Sequence, residues 1–133
     1  SLVFADLDDF KQINDQYGHE TGDKALRHIA EILESASRKE DIVSRFAGDE
    51  FVLLLPETAI DQAEVLMQRI QAHLNENPLK TETGESSIRL SYGLASTADA
   101  DFIQPAELLK NADKQLYIAK AEKRSQRLLA SQG

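Results

Sequence analysis

Two groups of carboxylates carry most of the chemistry available to this chain of 133 residues. Asp6, Asp8 and Asp9 follow the apolar run Leu2-Val3-Phe4-Ala5. Asp49 and Glu50 stand side by side after Ala47-Gly48, between the β-prone runs Ile42-Val43-Ser44 and Val52-Leu53-Leu54-Leu55. Acids at a turn tip are ordinarily just solvated. Acids that two neighbouring strands bring to one place repel one another, and a hard cation removes that cost. Mg²⁺ takes oxygen ligands from one or two carboxylates and from substrate phosphates. Two such ions about 4 Å apart activate an attacking oxygen and stabilise in-line displacement at phosphorus.

The elements that would position these acids follow from periodicity and punctuation. Ser1 to Asp6 reads as a strand, its continuous apolar run Leu2 to Ala5 being consistent with burial on both faces. Asp8 or Asp9 is placed to cap a short helix running to Tyr17, which Gly18 stops. A second helix is expected from Thr21 to Ser37, with Leu26, Ile29, Ala30 and Leu33 on its apolar face. A hairpin is expected from Asp41 to Pro56, with Gly48 supplying the positive φ of its turn.

Thr58 to Asp61 resembles a capping box and opens a helix whose apolar face is Ala63, Leu66, Met67, Ile70 and Leu74. Asn75 to Pro78 closes it. Thr83-Gly84-Glu85 reads as a polar turn. Ser87 to Ser96 alternates, which predicts a strand with two unlike faces. Pro105 suits the first position of a last helix with the stripe Leu108, Leu109, Ala112, Leu116 and Ala119. Past Arg124 the pattern fades; Leu128-Leu129 is read as a short edge strand and Ala130 to Gly133 as a frayed end. Met67, Tyr17, Tyr92 and Tyr117 are assigned to core packing. The order predicts one α+β domain over residues 1–133: a mixed, mostly antiparallel sheet covered by helices.

Composition narrows the function. The net charge is -8, which argues against nucleic acid or an anionic membrane as a partner. A phosphate ligand is compatible with that charge if a local basic cluster or a metal ion receives it. Cysteine is absent, which excludes disulfides and thiolate metal sites and fits a cytoplasmic setting. No apolar run approaches the roughly 18 residues needed to span a membrane.

Three longer stretches bear a resemblance. Phe4-Ala5-Asp6-Leu7-Asp8-Asp9-Phe10-Lys11-Gln12-Ile13-Asn14-Asp15, then Gly18-His19-Glu20-Thr21-Gly22-Asp23, then Arg45-Phe46-Ala47-Gly48-Asp49-Glu50-Phe51 closely resemble the GGDEF-type diguanylate cyclases. Leu90-Ser91-Tyr92-Gly93 and Ala112 to Lys120 match the same family in order and spacing. The resemblance implies a nucleotide-cyclase or polymerase-palm-like (ferredoxin-like) fold. It also implies condensation of two GTP into cyclic di-GMP and pyrophosphate by a symmetric homodimer, each subunit presenting one GTP. By motif, Asp6, Asp49, Glu50 and the backbone carbonyl of Leu7 would hold two Mg²⁺ (or Mn²⁺) ions. Asp49, Glu50 and Lys11 would be catalytic, Glu50 assisting at the attacking 3′-hydroxyl. Asn14 and Asp23 would read guanine, and Lys11, Lys120 and Arg124 would hold the triphosphate. Arg38 and Asp41, an Arg-x-x-Asp upstream of the signature, would form the inhibitory site for cyclic di-GMP.

Simpler readings exist for each residue taken singly. Asp23 fits the first turn of a helix, and Lys120 with Arg124 fits a helix C-terminal dipole. His19 is read as structural, and His28 and His73 are assigned no role. The chain departs from the family at Ala47, where the signature has its first Gly, and at Lys123, where the family usually has Gly before Arg124. The Asp-x-Leu-Thr segment that ordinarily precedes the first strand is absent, so the chain is read as a fragment of a longer signalling protein. The rival function is a degenerate module that binds cyclic di-GMP or GTP and regulates an attached domain. Retention of Asp6, Asn14, Asp23, Asp49 and Glu50 favours the enzyme.

Overall fold

The computed structural model describes residues 1–99 and 104–132. Its elements in chain order are β1 (Leu2–Leu7), α1 (Phe10–Tyr17), α2 (His19–Ala36), β2 (Ile42–Ala47), β3 (Glu50–Leu54), α3 (Ile60–Glu76), β4 (Leu79–Thr81), β5 (Gly84–Ser86), β6 (Leu90–Ala95) and α4 (Pro105–Gln132). Four strands form a sheet in the order β2-β3-β1-β6, and β4 with β5 makes a separate small hairpin. Every pairing among the described residues is antiparallel. The α+β architecture expected from the sequence is present, with an antiparallel sheet.

The continuous apolar run of β1 is explained by its place. It lies between β3 and β6, and all its residues are buried. Strand alternation sends Val3, Ala5 and Leu7 to one face, where they join Phe51 and Leu53 beneath Leu26, Ile29 and Leu33 of α2 and Met67, Ile70 and Leu74 of α3. Leu2 and Phe4 join Ala95 on the other face, beneath Ala112 and Leu116 of α4. Each fully buried Leu, Ile or Phe stabilises by roughly 1.5–3 kcal/mol relative to exposure. These two layers, rather than the exposed edge strand β2, hold the sheet together. A Cβ on Gly93 would overlap the Ala112 carbonyl oxygen and the Leu116 nitrogen, so α4 rests directly on the backbone of β6.

Several boundaries differ from the sequence reading, each for a local reason. Asp9 is the N-cap residue of α1, but at φ 57° its side chain makes no capping bond. Its carboxylate and that of Asp8 are taken instead by side chains of α4. α2 begins at His19, immediately after Gly18 at φ 92°. That places Asp23 beyond the first turn. α3 begins after Ala59, whose N–H donates to Gln62 Oε1 at 3.1 Å. This is half of a capping box; alanine has no acceptor for the other half, and the Thr58 hydroxyl donates to the Pro56 carbonyl.

The expected polar turn at Thr83 opens into β4 and β5. β6 starts at Leu90 rather than Ser87, because Gln71 of α3 occupies the backbone there. Its amide donates to the Ile88 carbonyl at 3.2 Å, and its Oε1 accepts from the Leu90 N–H at 3.0 Å. α4 continues to Gln132, so the edge strand proposed at Leu128-Leu129 does not form; both residues are exposed helical positions, and Gly133 lies outside the described residues. Tyr117 is 70% exposed on α4, against its assignment to the core, whereas Tyr17 and Tyr92 do pack on the core and Met67 is buried within it.

Candidate active site

Alternation along β1 and β3 builds the site. Asp6 is two residues beyond Phe4 and so faces α4, the same side as its register partners Glu50 on β3 and Ser91 on β6. The turn between β2 and β3 contains Gly48 at φ 50°, as the tight turn requires, while Ala47 is not among the residues at positive φ. The β2 register shifts between Arg45 and Ala47, and Arg45 Nε donates to the Gly48 carbonyl at 2.9 Å. The Leu7 N–H donates to the Asp49 carbonyl at 3.2 Å. The first of these bonds braces the hairpin turn and the second, with the Asp6–Glu50 register, fastens its tip to the end of β1, so the two acidic clusters of the sequence do meet.

Asp6 is buried, 7% exposed. Its Oδ2 accepts from Lys120 Nζ, and its Oδ1 is buried with no hydrogen-bond partner. Burial raises the Asp6 pKa, and the Asp49 and Asp8 charges add to that rise while Lys120 opposes it. Glu50 is raised too, by burial first and then by Asp49 and by Asp113 of α4. Both shifts arise first from burial, with the neighbouring carboxylates adding to them and Lys120 opposing them. Among the described residues, no three acidic or histidine side chains are grouped as a ready-made cation cage. The donor chemistry nevertheless fits a hard cation: Asp6 offers an orphaned buried oxygen, and Mg²⁺ ordinarily needs only one or two carboxylates beside phosphate oxygens and water.

α4 supplies the bases. Lys123 Nζ donates to Asp8 Oδ2 at 2.6 Å and to the Leu90 carbonyl at 2.9 Å. Ser91 Oγ donates to Asp8 Oδ1 at 2.6 Å. Arg127 holds both oxygens of Asp9, at 3.1 and 2.9 Å. A recess of about 250 Å³ lies between Asp8, Asp9 and the cations Lys120, Lys123, Arg124 and Arg127. Because α4 runs on to Gln132, Lys120 and Arg124 lie well inside the helix, which removes the helix-dipole explanation for them. The widest groove described, between α3, β6 and α4, includes none of Asp6, Asp49 and Glu50. Chemistry rather than size singles out the candidate site.

Residues 1–126 match the family described as "Diguanylate cyclase, GGDEF domain". The chain belongs to the GGDEF family. Among curated relatives, it is 41% identical over 130 residues to diguanylate cyclase DgcM of Escherichia coli, covering 98% of this chain and 30% of that protein. It is 38% identical over 127 residues to response regulator PleD of Caulobacter vibrioides, covering 94% of this chain and 28% of that protein. The chain thus spans less than a third of these relatives. Among solved structures, the GGDEF domain of YfiN from Pseudomonas aeruginosa superposes with a TM-score of 0.82 at 38% identity, covering 91% of this chain and 70% of that one. The GGDEF domain of DgcB from Caulobacter crescentus, solved with cyclic di-GMP, gives 0.81 at 25% identity, covering 91% and 71%.

The remaining residues that the resemblance singles out fall at two other places. Lys11 and Asn14 are on α1 and Asp23 is on α2, the two helices joined at Gly18. Asn14 is half-buried beside Gly22, whose neighbour along α2, Asp23, is exposed. Lys11 is exposed, and neither it nor Arg124 is in an ion pair among the described residues. Arg38 and Asp41 sit just before β2, at the end of the hairpin away from the acidic tip. The Arg38 N–H donates to Asp41 Oδ2 at 2.8 Å, and Arg38 Nη2 donates to Thr58 Oγ1 at 2.6 Å. Asp41 Oδ1 is buried without a partner beside a cleft of about 220 Å³ that Gln62 and Arg69 also line. Sequence reasoning passed over Asp113 and Arg127 and treated Lys123 only as a departure. Lys120, Lys123, Arg124 and Arg127 have the spacing of one helix face, and that was a usable signal.

Proposed function

We propose that this domain is a diguanylate cyclase, joining two GTP molecules into cyclic di-GMP with release of two pyrophosphates. The observation that carries the proposal is the meeting of Asp6, Asp49 and Glu50 at one end of the sheet, facing a basic face of α4. Each of the two bond-forming steps joins the 3′-hydroxyl oxygen of one GTP to the α-phosphorus of the other and breaks the bond to pyrophosphate. The residues present suit two Mg²⁺ or Mn²⁺ ions, held through Asp6, Asp49, Glu50 and the Leu7 carbonyl, with phosphate oxygens completing the shell. When bound, such ions supply neutralisation of the charge developing on the transferring phosphate.

The chain's own groups have the following roles. Lys120 leaves Asp6 for the triphosphate, which Lys11 and Arg124 also hold. Glu50, whose pKa is raised by burial and by Asp49, is suited to accept the proton of the attacking hydroxyl. Asn14 and Asp23 hydrogen-bond guanine; a carboxylate accepts from its N–H groups, which adenine cannot match. Each subunit presents one GTP, so catalysis needs a homodimer. Arg38 and Asp41 bind cyclic di-GMP as an inhibitor; the orphaned Asp41 Oδ1 and the exposed guanidinium support that role.

The deciding experiment is incubation with GTP and Mg²⁺ followed by mass spectrometry of the product. Cyclic di-GMP is expected from the parent, and Asp49→Ala is expected to lower its formation by about a hundredfold or more. Cyclic di-GMP binding without synthesis would instead identify a regulatory module. Wild-type synthesis by Asp49→Ala would refute the metal assignment.

A further inference from the structure

Three carboxylates at the end of β1 are each tied to α4: Asp6 to Lys120, Asp8 to Lys123 and Asp9 to Arg127. The links are not equivalent. Lys120 has two claimants, because the residue that neutralises Asp6 is also the one read as holding the triphosphate. When it turns to substrate, the first link is lost. The third link is at the surface, with the Arg127 and Asp9 side chains 57% and 39% exposed. Exposed ion pairs contribute little to holding two elements together.

The second link is different at both ends. The Asp8 side chain is 9% exposed and accepts from Ser91 as well as from Lys123. Lys123 donates to Asp8 and also to the carbonyl of Leu90, the first residue of β6. One side chain thereby joins α4 to the ends of both β1 and β6. It lies three residues after Lys120 and one before Arg124, and all three line the same recess.

We propose that Lys123 is a positioning residue: it keeps α4 seated on the strand ends while Lys120 leaves Asp6, and so holds Lys120 and Arg124 at the height a triphosphate needs. The inference rests on the reading of Lys120 and Arg124 as triphosphate-holding groups. Removing the amine leaves the Asp8 carboxylate with Ser91 as its side-chain donor, and once Lys120 turns to substrate α4 is left with its apolar stripe over Gly93 and the exposed Arg127–Asp9 pair.

The test titrates this protein and its variants with 3′-deoxy-GTP and Mg²⁺ by calorimetry, since that nucleotide lacks the hydroxyl that would react. Hydrogen exchange of the α4 amides is followed in parallel. Lys123→Ala is expected to weaken binding by about tenfold and to speed exchange across residues 117–127. Lys123→Arg is expected to stay within about threefold, and Asp8→Asn to reproduce the loss. The double variant should bind no worse than the weaker single one, because both remove one link. If Lys123→Ala does not fold, Lys123→Arg and Asp8→Asn still decide. Unchanged affinity in the variants that break the link overturns the proposal. So does weaker affinity with unchanged exchange, which would mean that Lys123 touches the nucleotide itself. A parent that does not bind the nucleotide refutes the cyclase reading instead, and exchange alone then decides whether Lys123 anchors the helix.

Discussion

Gly22 lies so close to Asn14 that a methyl group on it would overlap Asn14 Oδ1 and stand 3.4 Å from Phe10 Cε1. The missing side chain on α2 is what allows Asn14 to sit where it does on α1.

Gly22→Ala is therefore expected to displace Asn14 and to lower GTP affinity by about tenfold, with ATP binding changed far less. In an Asn14→Ala background the same substitution should cost little more, because the group it strikes is gone. Calorimetric titration of the four proteins measures this. Additive losses would separate Gly22 from guanine recognition.

At the hairpin tip, Gly48 has φ 50° and Ala47 does not have positive φ. Gly48→Ala should cost about 1–2 kcal/mol in stability through the left-handed backbone alone, and more in turnover as Asp49 shifts. Ala47→Gly should change turnover by less than about tenfold. Both are read from thermal melts and from rates of cyclic di-GMP formation in folded, dimeric samples. Activity that appears only in Ala47→Gly would make the parent a binding module.

Asp6 and Glu50 hold their protons to higher pH in the fold than in an unfolded chain. Their contribution to stability is full below the ordinary carboxylate pKa and is lost as pH rises through the raised values, so at neutral pH both weaken the fold. A cation that neutralises them should raise Tm at about pH 7.5 and raise it progressively less as pH falls through the raised values, where protons compete. Melts with Mg²⁺ and with EDTA across that range check the sign. A Tm indifferent to Mg²⁺ at every pH would contradict it.

Arg38 is exposed and bonds to Thr58, so Arg38→Ala should leave stability within about 0.5 kcal/mol. Cyclic di-GMP affinity should drop by about tenfold or more, since Arg grips phosphate or a guanine edge with two charge-assisted bonds. Late-time product should rise correspondingly. Unchanged affinity in this variant would reduce the motif to a surface charge cluster.

What the sequence displayed and what it concealed divide along physical lines. β1, the Gly48 hairpin and the apolar faces of α2 and α3 were legible, because burial imposes a period on those residues. The last turns of α4 were not; Leu128 and Leu129 are largely exposed, so no burial period marks them as helix. β4 and β5 were missed because of their three residues each, only Leu79 is buried. The meeting of Asp6 with Glu50 was foreseeable from the hairpin order. The seat of Asn14 on Gly22 and the grip of Lys123 on Asp8 were not, for each depends on how helices dock and leaves no local pattern.

The shared face of Asp6 and Glu50 has a consequence for how such a domain loses its chemistry. Along β1, the residues that fill the α2–α3 layer and the residue that meets Glu50 occupy opposite phases of one alternation. A slip of one position would carry the carboxylate into the oily side and turn Leu7 outward toward α4. A slip of one position therefore cannot silence the acids and spare the interior. Exchange of a single side chain at Asp6 or Glu50 can remove the chemistry and leave this alternation intact, whereas a one-residue insertion within the strand cannot.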